Sequence, residues 1–237
     1  MAAKNAQRWG ILIVTIVMVV GTIGSFAVMI LAQQDQSKRQ AAYTAAGDTF
    51  SKEQKAYQAL MDAQTSELAK TYYDSFSQYE SLVRAFDIDS VKELATEDLV
   101  MGDGEEVTGA TKFAAYYIGW DANGHIFDQS VDTTNHTLKA PFSITDGLDN
   151  TSVIEGWKEG MKGMHIGGVR VLTIPSDKAY KEAGSKDASG QVTIAPNMPL
   201  KFVVMAIPAP ADVPQPESYT KALNDYQKAY TEYLGQQ

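Results

Sequence analysis

The chain has 237 residues, 44% of them hydrophobic, a formal net charge of -9 and no cysteine. That length admits one sizeable core with appended segments, and the acidic balance argues against a nucleic-acid partner. The lack of cysteine removes disulfides, thiol nucleophiles and Cys-ligated zinc, and His125, His136 and His165 have no ligand-like spacing, so no metal site is expected.

In chain order, the first element is the uncharged run from Gly10 to Ala32. As a helix, about 23 such residues reach roughly 35 Å, enough to cross a bilayer. A cleaved signal peptide would carry a shorter apolar region and a better cleavage site than "MILAQQ". Residues 1–32 are therefore read as a tail and an uncleaved single-pass anchor. Lys4 and Arg8 ahead of the span, against Lys38 and Arg39 partly offset by Asp35 behind it, predict a cytoplasmic N-terminus and an extracytoplasmic remainder.

Residues 33–90 form the next segment, read as a helical stalk. Phe50, Tyr57, Met61, Leu68, Tyr72, Phe76, Tyr79, Val83 and Phe86 recur at helical steps, which predicts one amphipathic helix over about 33–86. Such a stripe binds a partner or, the favoured reading, packs on its own domain.

Residues 91–207 read as strands with one short helix, an α+β pattern. Phe113, Ala115 and Tyr117 alternate on one face, as do Leu172 and Ile174, and Leu200, Phe202 and Val204. "GDGEEVTG" is a turn between the first strands. The helix is assigned to "VIEGWKEGMKGMHIGG", where Val153, Ile154, Trp157, Met161 and Met164 share a face. Gly156, Gly160 and Gly163 each weaken it by about 1 kcal/mol relative to Ala, so it must lie across the sheet to cover Trp157. Asn135 and Asn150 head glycosylation triplets read as structural, with Asn150, Thr151 or Ser152 as candidate caps for this helix.

A stiff Pro-rich linker occupies 208–216. Then 217–237 is a C-terminal amphipathic helix striped by Tyr219, Leu223, Tyr226, Tyr230 and Tyr233. Neither striped helix buries its face alone. Mutual antiparallel packing, or a protein partner, is the economical inference.

Within the middle segment, "YIGWDANGHIFDQS", "PFSI", "VIEGWKEGMKGMHIGGVRVLTIPSDKAYKEAG" and "IAPNMPLKFVVMAI" follow one another. In order, spacing and residue type this series resembles the FKBP-type peptidyl-prolyl cis-trans isomerases over about half the chain. The resemblance implies a bent antiparallel sheet wrapped around a short helix, and an apolar hollow that receives a proline ring on Trp157. By matching motif, Tyr117, Phe127, Phe142, Val153, Trp157 and Phe202 would bind substrate. Asp128, Tyr180 and the backbone N–H of Ile154 would act on the turning amide. No cofactor is implied; proline-containing polypeptides and macrolide inhibitors are the implied ligands. The expected function is a membrane-anchored foldase for exported proteins, with a proline-gripping chaperone or assembly module of little turnover as the alternative.

Two stretches depart from the family pattern. "QSVDTTNHTLKAP" is long and lacks a basic partner for Asp128, which implies a different orientation of that carboxylate. "KEAGSKDASGQVT" is extended and polar after Tyr180, which bears on substrate preference and inhibitor affinity.

Overall fold

The computed structural model describes residues 34–234. The expected anchor, Gly10 to Ala32, lies outside them; among the described residues no helix is long and apolar enough to cross a membrane. The chain is α+β and divides into two units, residues 65–211 and residues 34–64 with 212–234. Helix α1 (Gln34–Ser77) contributes to both.

The larger unit is built on a six-stranded antiparallel sheet made of β1 (Ala95–Val100), β2 (Phe113–Asp121), β3 (Ile126–Gln129), β6 (Phe142–Ile144), β7 (Val169–Ile174) and β10 (Leu200–Pro208). Two small hairpins complete the strands, β4 (Val131–Asp132) with β5 (Thr137–Leu138) and β8 (Ser185–Lys186) with β9 (Val192–Ile194). The spatial order is β1-β7-β10-β2-β3, and β6 also pairs with β2. One edge of β2 is thus shared, β3 pairing with Ile118–Trp120 and β6 with Phe113–Ala115.

Short helix α2 (Glu155–Met161) lies on the inner face, in a core with Phe113, Ala115, Leu172, Ile174, Leu200, Phe202 and Val204. These are the residues that the period-two pattern placed on one face. The helix glycines are the contact surface: a Cβ on Gly156 would come within 2.3 Å of Ile174 Cγ2, and one on Gly160 within 2.9 Å of Leu172 Cδ2. Bare backbone therefore brings the helix onto β7, and tertiary packing outweighs its poor propensity.

The expected cap is a correction. Ile154 is the N-cap and makes no side-chain cap bond. Asn150 and Thr151 instead brace the preceding turn, donating to the carbonyls of Asp146 and Gly147. The C-terminal end of α2 is held from outside: Arg170 Nη1 donates to the carbonyls of Gly160 and Lys162, at 3.0 Å each. The same guanidinium grips its cross-strand neighbour Asp98 through Nε at 2.6 Å and Nη2 at 2.9 Å.

The outer face of the sheet is also covered. Ala114, Tyr116, Ile118, Val203, Met205 and Ile207 pack beneath Leu68, Ala69, Tyr72 and Phe76 of α1 and the chain that follows it. The helix ends at Ser77 rather than near Phe86, turning through a 3-10 segment (Gln78–Leu82) into extended backbone at Val83. Val83 and Phe86 still face the sheet, because Phe86 N–H bonds to Ala122 O and the Trp120 indole donates to Arg84 O.

In the smaller unit, α1 up to Gln64 pairs antiparallel with α3 (Glu217–Leu234). Tyr43 stacks on Tyr226 and Tyr233, Phe50 packs on Tyr226 and Tyr219, and Tyr57 on Tyr219. The two stripes thus interlock as an aromatic ladder. Tyr43 and Tyr226 share a hydroxyl hydrogen bond at 2.9 Å, and Tyr57 donates to Val213 O in the Pro-rich segment at 2.9 Å.

Candidate functional site

At one end of the inner core the packing leaves a cavity of about 140 Å³, lined by Tyr117, Phe127, Asp128, Phe142, Ser152, Val153, Ile154, Trp157, Tyr180 and Phe202. Its size is that of a single side chain rather than an extended cofactor. Every residue named from the resemblance lies on this wall. Ser152 joins them; the sequence placed it only as a candidate cap.

Three strands and a helix build the box. Trp157, projecting from α2, is 4% exposed and forms the floor. Tyr117 from β2, Phe142 from β6 and Phe202 from β10 stand nearly perpendicular to its ring, at 85°, 86° and 82° with centroids 5.4, 5.9 and 5.5 Å away. Edge-to-face pairs of this kind contribute about 0.5–1.5 kcal/mol each beyond area burial and fix ring orientation. Phe127 stands on Phe202 in the same way, at 82°.

A β-bulge supplies the next wall. On β3, Asp128 pairs with Gly119 and Ile126 with Trp120, leaving Phe127 as the extra residue. Neighbouring side chains in a regular strand point to opposite faces, whereas here Phe127 and Asp128 both reach the cavity. Opposite the bulge, Gly119 gives up its side chain to make room. A Cβ there would lie 2.6 Å from Phe202 Cε1 and 2.8 Å from Phe127 Cζ. Gly119→Ala is therefore expected to push both rings into the hollow, costing about 1–3 kcal/mol in stability and most of the peptide binding that the sequence resemblance implies for it. Peptide titration alongside thermal melting checks this; full binding by the variant would refute the steric argument.

Polar groups are few and placed at the mouth. Asp128 accepts a 2.5 Å hydrogen bond from the Tyr117 hydroxyl, so a phenol partners this carboxylate. Burial, that hydrogen bond and the neighbouring carboxylate hold the Tyr117 phenol well above the usual tyrosine range. Burial, then the charge of Asp128, raises Tyr180 as well. Both stay protonated donors at neutral pH. The Tyr180 hydroxyl and the backbone N–H of Ile154 have no protein partner among the described residues, so both remain available to a ligand.

The arrangement contains no activated nucleophile. It can hold a small apolar ring on an aromatic floor while two donors and one carboxylate meet the polar backbone beside it.

Comparison with known proteins bears on this geometry. Residues 104–207 match the model of the family described as FKBP-type peptidyl-prolyl cis-trans isomerase. The chain is 40% identical over 111 residues to a protein named FK506-binding protein from Neisseria meningitidis serogroup A, an alignment covering 47% of this chain and 91% of that one. It is 39% identical over 111 residues to FK506-binding protein 4 of Dictyostelium discoideum, covering 47% and 27% of the two chains. With peptidyl-prolyl cis-trans isomerase FKBP53 of Arabidopsis thaliana the identity is 38% over 117 residues, covering 48% and 22%.

Proposed function

The chain belongs to the FKBP-type peptidyl-prolyl cis-trans isomerases, and on that premise we propose how its own residues turn an X-Pro bond and where in the cell they do so. Rotation about the bond is opposed by a barrier of roughly 18–20 kcal/mol, because twisting breaks amide resonance. Uncatalysed, it takes tens to hundreds of seconds.

The observation that carries the reading is the aromatic box with unpaired donors at its mouth. The proline ring sits on Trp157 between Tyr117, Phe142 and Phe202, with Phe127 and Val153 closing the sides. Away from water the planar, strongly dipolar amide loses solvation, while the twisted amide, whose charge separation is smaller, loses less. Ile154 N–H and Tyr180 O–H hold substrate carbonyls on either side of the turning bond. As resonance is lost the carbonyl carbon becomes more electron-poor, and the Asp128 carboxylate, fixed by Tyr117, lies ready to stabilise it. No covalent step and no cofactor enter this scheme.

Asp128→Val and Tyr180→Phe are accordingly expected to lower turnover roughly tenfold while changing peptide affinity much less. Exchange NMR on a Leu-Pro peptide, with binding measured in parallel, separates the two quantities. Equal losses of both would discard these roles. A wild-type chain that binds without accelerating exchange would leave a proline-gripping module instead.

The clients are proposed to be exported or membrane-proximal polypeptides, supported by the uncharged Gly10 to Ala32 run with Lys4 and Arg8 ahead of it. A reporter fused after Gln237 should then be active only outside the cytoplasm; cytoplasmic activity would overturn the location and leave the reaction untouched. The relatives named FK506-binding proteins support a further ligand, a macrolide of the FK506 type in the same hollow.

A further inference from the structure

We propose that Glu159 and Lys178 form a positioning pair that sets how far Tyr180 stands from the helix carrying Trp157. The inference rests on the reading of Tyr180 as a donor to substrate. Tyr180 lies between two 3-10 turns, Ser176–Lys178 and Lys181–Ala183, with no regular strand to fix it, and Lys181 beside it has a positive φ of 54°. Its hydroxyl bonds to no other group of the fold among the described residues, and the residue is 37% exposed. No hydrogen bond of its own defines where that hydroxyl stands.

Lys178, two residues earlier, supplies the tether. Its ammonium is ion-paired with the Glu159 carboxylate of α2, two residues beyond Trp157. The pair joins the segment bearing Tyr180 to the helix that bears the floor and follows the Ile154 N–H. The backbone anchors around it are Lys178 N–H to Pro175 O, Ala179 N–H to Ser176 O, Gly184 N–H to Tyr180 O and, from farther along the chain, Asn197 N–H to Lys181 O at 2.7 Å. Ala179 also packs on the inner core, but none of these hydrogen bonds reaches α2, and the ion pair is the polar link between the turn and that helix. The Lys178 ammonium is held charged by Glu159, with Asp177 and Glu155 adding to the same field, so the tether persists well above neutral pH.

With side chains 32% and 41% exposed, the pair is reached by solvent and contributes little to global stability. Its effect falls on geometry. A donor displaced by about 1 Å from its working position loses much of its effect on a transition state. Salt weakens such a partly exposed pair, so turnover should fall with ionic strength in the wild-type chain.

The test uses the full chain, with exchange NMR on the Leu-Pro peptide, thermal melting, and the variants Glu159→Gln, Lys178→Met and Lys178→Arg, the first also in a Tyr180→Phe background. Glu159→Gln and Lys178→Met should each lower turnover roughly two- to fivefold with the melting temperature unchanged, as suits an exposed pair. Lys178→Arg should retain it, and the salt dependence should vanish in Glu159→Gln. In the Tyr180→Phe background Glu159→Gln should have no further effect, because the hydroxyl it positions is gone. If Glu159→Gln lowers turnover by the same factor in both backgrounds, the pair does not act through Tyr180 and the proposal fails. If Glu159→Gln is silent while Tyr180→Phe slows the reaction, the tether fails and the role of Tyr180 stands. If Tyr180→Phe is itself silent, that role fails and the tether with it.

Discussion

Phe76→Ala is expected to cost about 3–5 kcal/mol and to lower the melting temperature by roughly 10 °C, although Phe76 lies well outside the family-matching residues 104–207. The ring is fully buried against Tyr116 and Tyr79, with centroids 6.0 and 6.2 Å away. Truncation leaves a void between α1 and the outer face of β2, where the helix and sheet backbones limit collapse. Removal of the whole cover should be more severe. A chain beginning at Val91 would bare Tyr116, Ile118, Val203, Met205 and Ile207 together, an apolar patch that invites association. With both fragments ended at Ala211, so that α3 is absent from each, the one beginning at Val91 should bind hydrophobic dye and aggregate, whereas one beginning at Thr65 should not. Equal stability of the two fragments would show that the cover is dispensable and that the unit starts with the family segment.

The second large effect is expected at Arg170. This side chain is 8% exposed and makes four hydrogen bonds, two to Asp98 and two to carbonyls at the end of α2. A cation there also complements the negative end of the helix dipole. Asp98→Ala should cost about 3–5 kcal/mol by stranding a buried charge. Arg170→Met should cost somewhat less, about 2–3 kcal/mol, because Asp98 can turn toward water while the two carbonyls lose their donor. Arg170→Lys should fall between Arg170→Met and wild type, since an ammonium cannot span the carboxylate and both carbonyls. Denaturant midpoints at unchanged slope measure these costs. A wild-type midpoint for Arg170→Met would mean that the end of α2 is held by packing alone. Because that helix carries Trp157, turnover should fall in all three variants.

The inner face was legible because it obeys a period of two, as Phe113, Ala115 and Tyr117 do, and because Trp157 sits among glycines that have no purpose on a solvated helix. The outer face was harder. Ala114, Tyr116 and Ile118 are apolar as well, so β2 reads as a continuous run, which signals burial on both sides without naming the covering element. The stripe on α1 was visible, but not that its residues from Thr65 onward go to the sheet and its earlier ones to α3.

At the site, residue types and order could be read, whereas the bulge that turns Phe127 and Asp128 toward one cavity depends on pairing with β2. Asp98 and Arg170 are 72 positions apart, and a lone arginine in "VRVLTI" looks like a solvated charge until β1 is placed beside β7. The Tyr117 hydroxyl as partner of Asp128 is a similar case, because β2 must pair with β3 before the two side chains meet.

The aromatic ladder has a consequence for the order in which the molecule is made. Tyr43 and its partner Tyr226 are 183 positions apart, a gap that a ribosome working at about 5–20 residues per second takes roughly 10–40 s to cross. Through that interval the α1 rings at Tyr43, Phe50 and Tyr57 have been synthesised and their counterparts have not. The sheet and its cavity, complete by residue 208, can assemble while those rings are still bare. A nascent chain therefore possesses its aromatic hollow before it has finished its own helical pair, and the ladder closes last, when Tyr219 to Tyr233 emerge.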